Sequence, residues 1–233
     1  MTATAPVQVA IDGPSGSGKS SVSKAVARAL GVGYLDTGAM YRALAWWCLD
    51  TGVDLGDREA VAREAARMPL VQSSDPSNPT VAMGGQDIST AIRSERITKA
   101  VTAVATNTLV RPVLQQRQRE AMASIASATG GVVAEGRDIT TVVAPEADVR
   151  ILLTANEAAR LVRRSTEIHG TADMAAVEAT RDQIVRRDAA DSTVSNFIDA
   201  APGVVVVDTS DLDFDESVAA VLAVVDGRPG ERQ

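Results

Sequence analysis

The chain has almost no cysteine, histidine or aromatic residues, and each shortage closes off a class of function. A lone cysteine, Cys48, cannot make an intrachain disulfide or a multi-cysteine zinc site. It follows Trp46 and Trp47 and reads as a small buried hydrophobe. A lone histidine, His169, excludes a histidine-cluster metal centre and argues against a histidine-based triad. It stands beside Gly170 in a polar stretch and is expected in an exposed loop. Aromatics are 3% of the 233 residues while apolar residues are 45%, so the core must be built mostly from Val, Leu, Ile and Ala. No apolar run reaches the ~18 residues of a membrane span. The N-terminus lacks the basic and then apolar regions of a secretory signal. These absences predict a cytoplasmic protein.

Lysine is scarce as well. Of 23 basic residues only Lys19, Lys24 and Lys99 are lysine, and the rest are arginine. Codon usage explains such a bias, and so does a need for guanidinium forks that grip phosphate in pairs of hydrogen bonds. Composition does not separate the two, so individual arginines must carry the argument. The net charge of −7 argues against coating nucleic acid or lying on a membrane surface.

What is present is an alternation of short apolar runs with helical patterns. Runs at Val7 to Ile11, Val32 to Leu35, Val132 to Ala134, Val149 to Leu153 and Val204 to Val207 read as strands. Between them lie helical stretches with apolar residues three and four apart, such as Val22, Val26, Ala29 and Leu30. The predicted fold class is α/β, a five-stranded parallel sheet with helices on both faces. Ligands on such sheets bind beyond the carboxyl ends of the strands. The chemistry is therefore expected in residues 12–20, 36–42, 135–138, 154–164 and 208–211. A loop rich in Ser, Asp and Pro at 73–79, followed by Val81-Ala82-Met83, Gly84-Gly85 and Ile88, reads as a hairpin inserted between helices. Residues 94–108 and 111–128 read as two helices, with Pro112 in the first turn of the second. Asn156 and Asp173 are expected helix N-caps.

The segment Gly13-Pro14-Ser15-Gly16-Ser17-Gly18-Lys19-Ser20 fits G-x-x-x-x-G-K-[ST] in full. It follows a strand and opens an amphipathic helix. Glycines let backbone amides turn toward an anion, and the helix N-terminus adds its positive dipole end. Lys19 is expected on the β- and γ-phosphates of ATP, and the Ser20 hydroxyl on Mg²⁺, with Ser21 completing the loop. Asp36 or Glu135 would reach the metal through water. The motif alone fits GTPases, motors, transporters and small-molecule kinases. The N-K-x-D of guanine-specific GTPases is absent. Val204 to Asp208 mimics a metal-binding strand end, but it reads better as a structural strand with a capping Asp.

Two further segments point to an acceptor. Asp36-Thr37-Gly38-Ala39-Met40-Tyr41-Arg42 puts an arginine one turn into a helix that starts at a strand end. Glu135-Gly136-Arg137-Asp138 puts three charges at the end of a buried strand, where phosphate, ribose or a metal's water shell would balance them.

In order and spacing, these segments with Arg187-Asp188 resemble the bacterial cytidylate kinases, from about Val7 to Val225. The hairpin, with Ile92-Arg93 after it, is similar to that family's insertion for the nucleoside monophosphate. The resemblance implies a single nucleoside monophosphate kinase domain. It would comprise a core (about 5–70, 110–155 and 195–226), an insertion (about 70–108) and an arginine-rich lid (about 157–190). It implies ATP-dependent phosphorylation of CMP and dCMP by a monomer. Lys19, Arg137, Asp138 and Arg160 would be the catalytic group. ATP would be held by the glycine loop with Arg160 and Arg164, on a lid that also carries Arg163. The acceptor would be held by Asp36, Thr37, Tyr41, Arg42, Thr102, Arg111, Arg137, Asp138, Arg187 and Asp191. The base would be read by Thr102, Arg111 and Asp138. One departure stands out: the family's usual Arg-Asp-x-x-Asp-x-x-Arg ends here in Val194, so that arginine is replaced by a neighbour such as Arg186 or acceptor binding is weaker. Other acceptors on the same fold (UMP, shikimate or gluconate) and a regulatory P-loop ATPase stay open as alternatives.

Overall fold

A computed structural model describes residues 6–227, apart from the side chains of 182, 183, 186 and 187. Five strands form one parallel sheet: β1 Val7–Asp12, β2 Gly33–Asp36, β6 Gly131–Gly136, β7 Val149–Thr154 and β8 Val205–Asp208. Their order is β2-β6-β1-β7-β8. β1 is central, and Val9, Ala10 and Ile11 are fully buried. That explains why it reads as a continuous apolar run rather than an alternation. The register brings the charged strand ends level. Asp12 lies opposite Gly136, and Asp36 opposite Glu135.

Helices cover both faces. α1 (Lys19–Leu30) and α8 (Phe214–Asp226) pack Val22, Val26, Val221 and Val225 on one face of β1 and β7. On the other face Met40 of α2 (Thr37–Asp50) and Met122 and Ala126 of α5 (Val110–Thr129) meet Leu35, Ala10 and Ala134. A third apolar cluster joins α2, α3 (Arg58–Arg67), α5 and the insertion, with Cys48 fully buried inside it.

Local chemistry sets the helix ends. Side chains of Asp36, Asp57, Asn156 and Asp173 accept from the amides of Ala39, Ala60, Ala159 and Ala176, capping α2, α3, α6 (Glu157–His169) and α7 (Met174–Ser192). Asp213 and Glu216 form a capping box on α8.

Several elements differ from the sequence reading. The hairpin at 81–87 carries a third strand, β3 Leu70–Gln72, antiparallel to β4 Val81–Met83, which pairs in turn with β5 Gln86–Asp87. At three residues and partly exposed, β3 is too short to show a period. Tyr34 of β2 donates its amide to the Ser74 carbonyl, so the following loop lies along the edge of the main sheet. β6 continues through Glu135 and Gly136, and a π-helical turn at Ile139–Val143 follows it. α2 starts at Thr37, directly after the strand end at Asp36. α7 runs on to Ser192 and so includes Asp191. His169 is exposed, but as the last residue of α6 rather than in a loop. Among the described residues no helix is long and apolar enough to cross a membrane.

Candidate active site

Beyond the carboxyl ends of the strands lies a cleft of about 720 Å³. Its walls include the glycine loop, Lys19, Ser20, Ser21, Asp36, Arg42, Arg93, Glu135, Arg137 and Arg164. The loop turns between β1 and α1. Gly16 and Gly18 take left-handed backbone angles, φ 77° and 83°, that side chains disfavour. At Gly16 a Cβ would also stand 2.6 Å from the Arg160 carbonyl oxygen, so the first turn of α6 rests directly on the loop.

The Lys19 ammonium stands 3.3 Å from Oε2 of Glu135, across the β1–β6 boundary. Tyr34 donates its hydroxyl to Oε1 of the same carboxylate, and Ser20 is a further hydrogen-bond partner. Burial pushes the Glu135 carboxyl up, but Lys19, Tyr34 and Ser20 together outweigh it and hold the group below its ordinary value. Glu135 therefore stays ionised and acts as the counter-ion that fixes Lys19. Asp36 is pushed the other way by burial and by the Glu135 charge, against the pull of Arg93. Its Oδ2 lies 3.2 Å from the Arg93 guanidinium, while Oδ1 caps α2.

Arg137 follows β6 and is held on every side. Its Nε donates to Asp191 at 3.1 Å, Nη1 to the Gly13 carbonyl and Nη2 to Asp188 at 3.3 Å. Its guanidinium carbon lies 4.5 Å from the centroid of the Phe197 ring. Of the five N–H donors of an arginine, three are engaged among the described residues, and one on each terminal nitrogen is left for an oxyanion. Arg42, one turn into α2, is buried and donates to the Ile92 carbonyl at 3.0 Å and the Thr98 hydroxyl at 3.1 Å. It lines the same cleft from the insertion side.

Arg160 donates Nη1 to the Ser15 carbonyl at 3.0 Å and to Asp188. Arg163 reaches the Ser17 and Leu212 carbonyls and the Thr209 hydroxyl, so it anchors α6 to the loop and to the segment after β8. Arg164 pairs with Glu167 at 2.7 Å on the cleft wall.

The residues expected to read the base, and two others expected on the acceptor, lie elsewhere. Asp138 is buried and accepts from Arg111 at 2.6 Å and Gln115 at 2.7 Å. Tyr41 is buried, and burial and the Asp138 charge push its hydroxyl up. Thr102 is half-buried on α4 (Glu95–Ala105), and Thr37 donates its hydroxyl to the Glu135 carbonyl at 2.7 Å. None of these five (Arg111 included) lines the cleft. Arg111 and Gln115 hold Asp138 in place, one residue after Arg137. The side chain of Arg187, and that of Arg186, fall outside the described residues. Val194 sits in the turn after α7, its amide on the Asp191 carbonyl.

Two residues that the sequence reading did not place in the site belong there. Arg93 faces Asp36 across the cleft, and its place after the hairpin was the available signal. Asp188 bonds the amide of Ser15, Arg137 and Arg160 together, which no local pattern reveals. Asp208, read as a capping residue, accepts from the amide and hydroxyl of Ser210 on the outermost strand.

A glycine-loop anion cradle with a fixed lysine, faced by arginines from a second strand end and from α6, defines a P-loop kinase acting on small molecules. The family model described as cytidylate kinase matches residues 9–227. A cytidylate kinase of Streptomyces griseus is 46% identical over 228 residues, 97% of this chain and 96% of the relative. One from Rhodococcus opacus is 44% identical over 234 residues, 99% of each chain. Another, from Mycobacterium avium, is 47% identical over 212 residues, 90% of each. The chain belongs to the cytidylate kinase family.

Proposed function

We propose that the chain transfers the γ-phosphoryl group of ATP to the phosphate of CMP and dCMP, giving ADP with CDP or dCDP. The observation that carries this reading is Arg137. It is locked by three hydrogen bonds beside the glycine loop, with one N–H left on each terminal nitrogen for an acceptor phosphate.

The attacking atom is an acceptor phosphate oxygen, already anionic at neutral pH. No strong general base is needed, and the only histidine lies on the surface at the end of α6. Catalysis then rests on alignment and charge neutralisation. The loop amides and Lys19 hold the β- and γ-phosphates. Arg160 closes over them from the lid, and its Nε and Nη2 donors face no described partner. Arg42 and Arg137 hold the acceptor phosphate. Asp138, fixed by Arg111 and Gln115, reads the base. Lid closure excludes water and limits wasteful hydrolysis of ATP.

Mg²⁺ fits the donor set at the loop. Ser20, Glu135 and Asp36 offer hard oxygen atoms at the cleft wall. Among the described residues no group of three His, Cys, Asp or Glu could hold a metal alone. That suits an ion carried mainly by phosphates and water. Ser20 would ligate it, with Glu135 or Asp36 through water, and it would neutralise charge on the transferred group.

The test is product identity. With ATP labelled in the γ-phosphate and CMP present, label should appear in CDP. Label released only as inorganic phosphate would mean an ATPase, and label in a different acceptor from a metabolite panel would mean a different kinase.

A further inference from the structure

Asp188 lies one turn before the end of α7, and its side chain is 13% exposed. Three donors from three elements meet on it. Oδ1 accepts the amide of Ser15 in the phosphate loop at 3.1 Å and Nη2 of Arg137 at 3.3 Å, and Oδ2 accepts Nη1 of Arg160. Ser15 and Arg160 are also joined directly, carbonyl to guanidinium at 3.0 Å.

A carboxylate is an odd group to find beside transferring phosphates, because its charge repels theirs. It is not placed to take a proton from the acceptor, which has none to lose at neutral pH. Its oxygens are also already taken up by guanidinium and amide donors. What it does supply is a shared counter-ion. Arg137 and Arg160 approach the transfer region from β6 and from the lid, and two like charges so close drift apart unless something negative bridges them. Asp191, one turn further along α7, holds Arg137 only by Nε. Asp188 alone among the described carboxylates links both arginines and the loop.

On the reading proposed above, we infer that Asp188 is a positioning residue for phosphoryl transfer. It sets the guanidiniums of Arg137 and Arg160 in register with the phosphate loop, and so ties the closing of the lid to the assembly of the acceptor-phosphate site. It touches no reacting atom and works through the two arginines. Its loss should lower kcat and spare ground-state binding, because misaligned donors cost most where charge is redistributed.

The experiment is a kinetic cycle on the full chain with Asp188→Ala, Asp188→Asn and Arg160→Gln, measured with ATP and CMP beside the thermal midpoint. Asp188→Asn keeps the shape but puts an amide against one of the donors. Expected for both single variants at Asp188 is a fall in kcat of roughly 30- to 100-fold, as for a lost alignment contact, with each KM within about threefold. Because Asp188 works partly through Arg160, adding Asp188→Ala to Arg160→Gln should lower kcat by clearly less than it does alone. Equal losses in both backgrounds, a raised KM at unchanged kcat, or activity that falls only in step with the thermal midpoint would each overturn the inference. Should the alanine variant fail to fold, the asparagine variant carries the same cycle. If wild-type chain itself gave no CDP, the functional reading would fall first and separately.

Discussion

Replacing Glu135 by alanine tests whether the cleft's electrostatics have been read correctly. The carboxylate is 3% exposed and its partner Lys19 is 14% exposed, 3.3 Å away. Removing it leaves a nearly buried ammonium without a counter-ion, and the Tyr34 hydroxyl without its acceptor. Breaking a buried pair by deleting one partner costs about 3–5 kcal/mol. For a domain of this size about 1 kcal/mol moves the midpoint by roughly 2–4 °C, so a fall of roughly 6–20 °C is expected. Turnover should fall as well, by ~100-fold or more, because Lys19 loses the group that fixes it. Glu135→Gln should do less harm, since its amide oxygen can still accept from Tyr34. The pH dependence has a definite sign. The folded carboxyl titrates below its unfolded value, so its contribution is present above the unfolded value and lost as pH falls through the folded one. As pH falls below the ordinary carboxylate range, wild type should therefore lose stability more steeply than Glu135→Gln. Thermal unfolding across pH and a coupled ADP-release assay measure both. An alanine variant within 2 °C of wild type (about 1 kcal/mol or less), with normal turnover, would refute the ion-pair account.

Three further outcomes follow from contacts at the site. Gly16→Ala should disrupt the loop and push away the first turn of α6, since its Cβ would meet the Arg160 carbonyl at 2.6 Å on a left-handed backbone. A raised KM for ATP with kcat down at least ~10-fold is expected, and unchanged ATP kinetics would contradict it. Asp138→Ala should free Arg111 and Gln115 and narrow the preference for CMP over UMP by roughly 10-fold. An unchanged CMP/UMP ratio would remove Asp138 from base reading. Arg163→Ala should loosen α6 from the loop, because that side chain bonds the Ser17 and Leu212 carbonyls and the Thr209 hydroxyl. Protease sensitivity around 157–170 should rise, and an unchanged cleavage pattern would argue against the anchor.

Much of the scaffold was legible because its signals are local. Apolar runs marked the five core strands, and Asn156 and Asp173 cap helices through amides three residues ahead. The glycine loop was legible for the same reason, since its glycines, lysine and serine are contiguous. What stayed hidden was made by distance along the chain. Asp188 meets Ser15 across 173 residues, and Lys19 meets Glu135 only because β1 and β6 lie side by side. β3 is three residues long and partly exposed, so no alternation could announce it. The resemblance to a family supplied the acceptor residues, yet Thr37, Thr102, Arg111 and Asp138 do not line the cleft. In each case the partner, not the residue, decides the role, and sequence order does not print partners.

The central claim is that the glycine loop is the donor half of a two-nucleotide site. The most direct measurement is steady-state ADP release with CMP, dCMP, UMP and AMP as acceptors, run on wild type and Lys19→Ala. CMP and dCMP should stimulate release strongly, UMP less and AMP hardly at all. Lys19→Ala should release almost no ADP under any condition. ADP release that CMP leaves unchanged, or that survives loss of Lys19, would contradict the account.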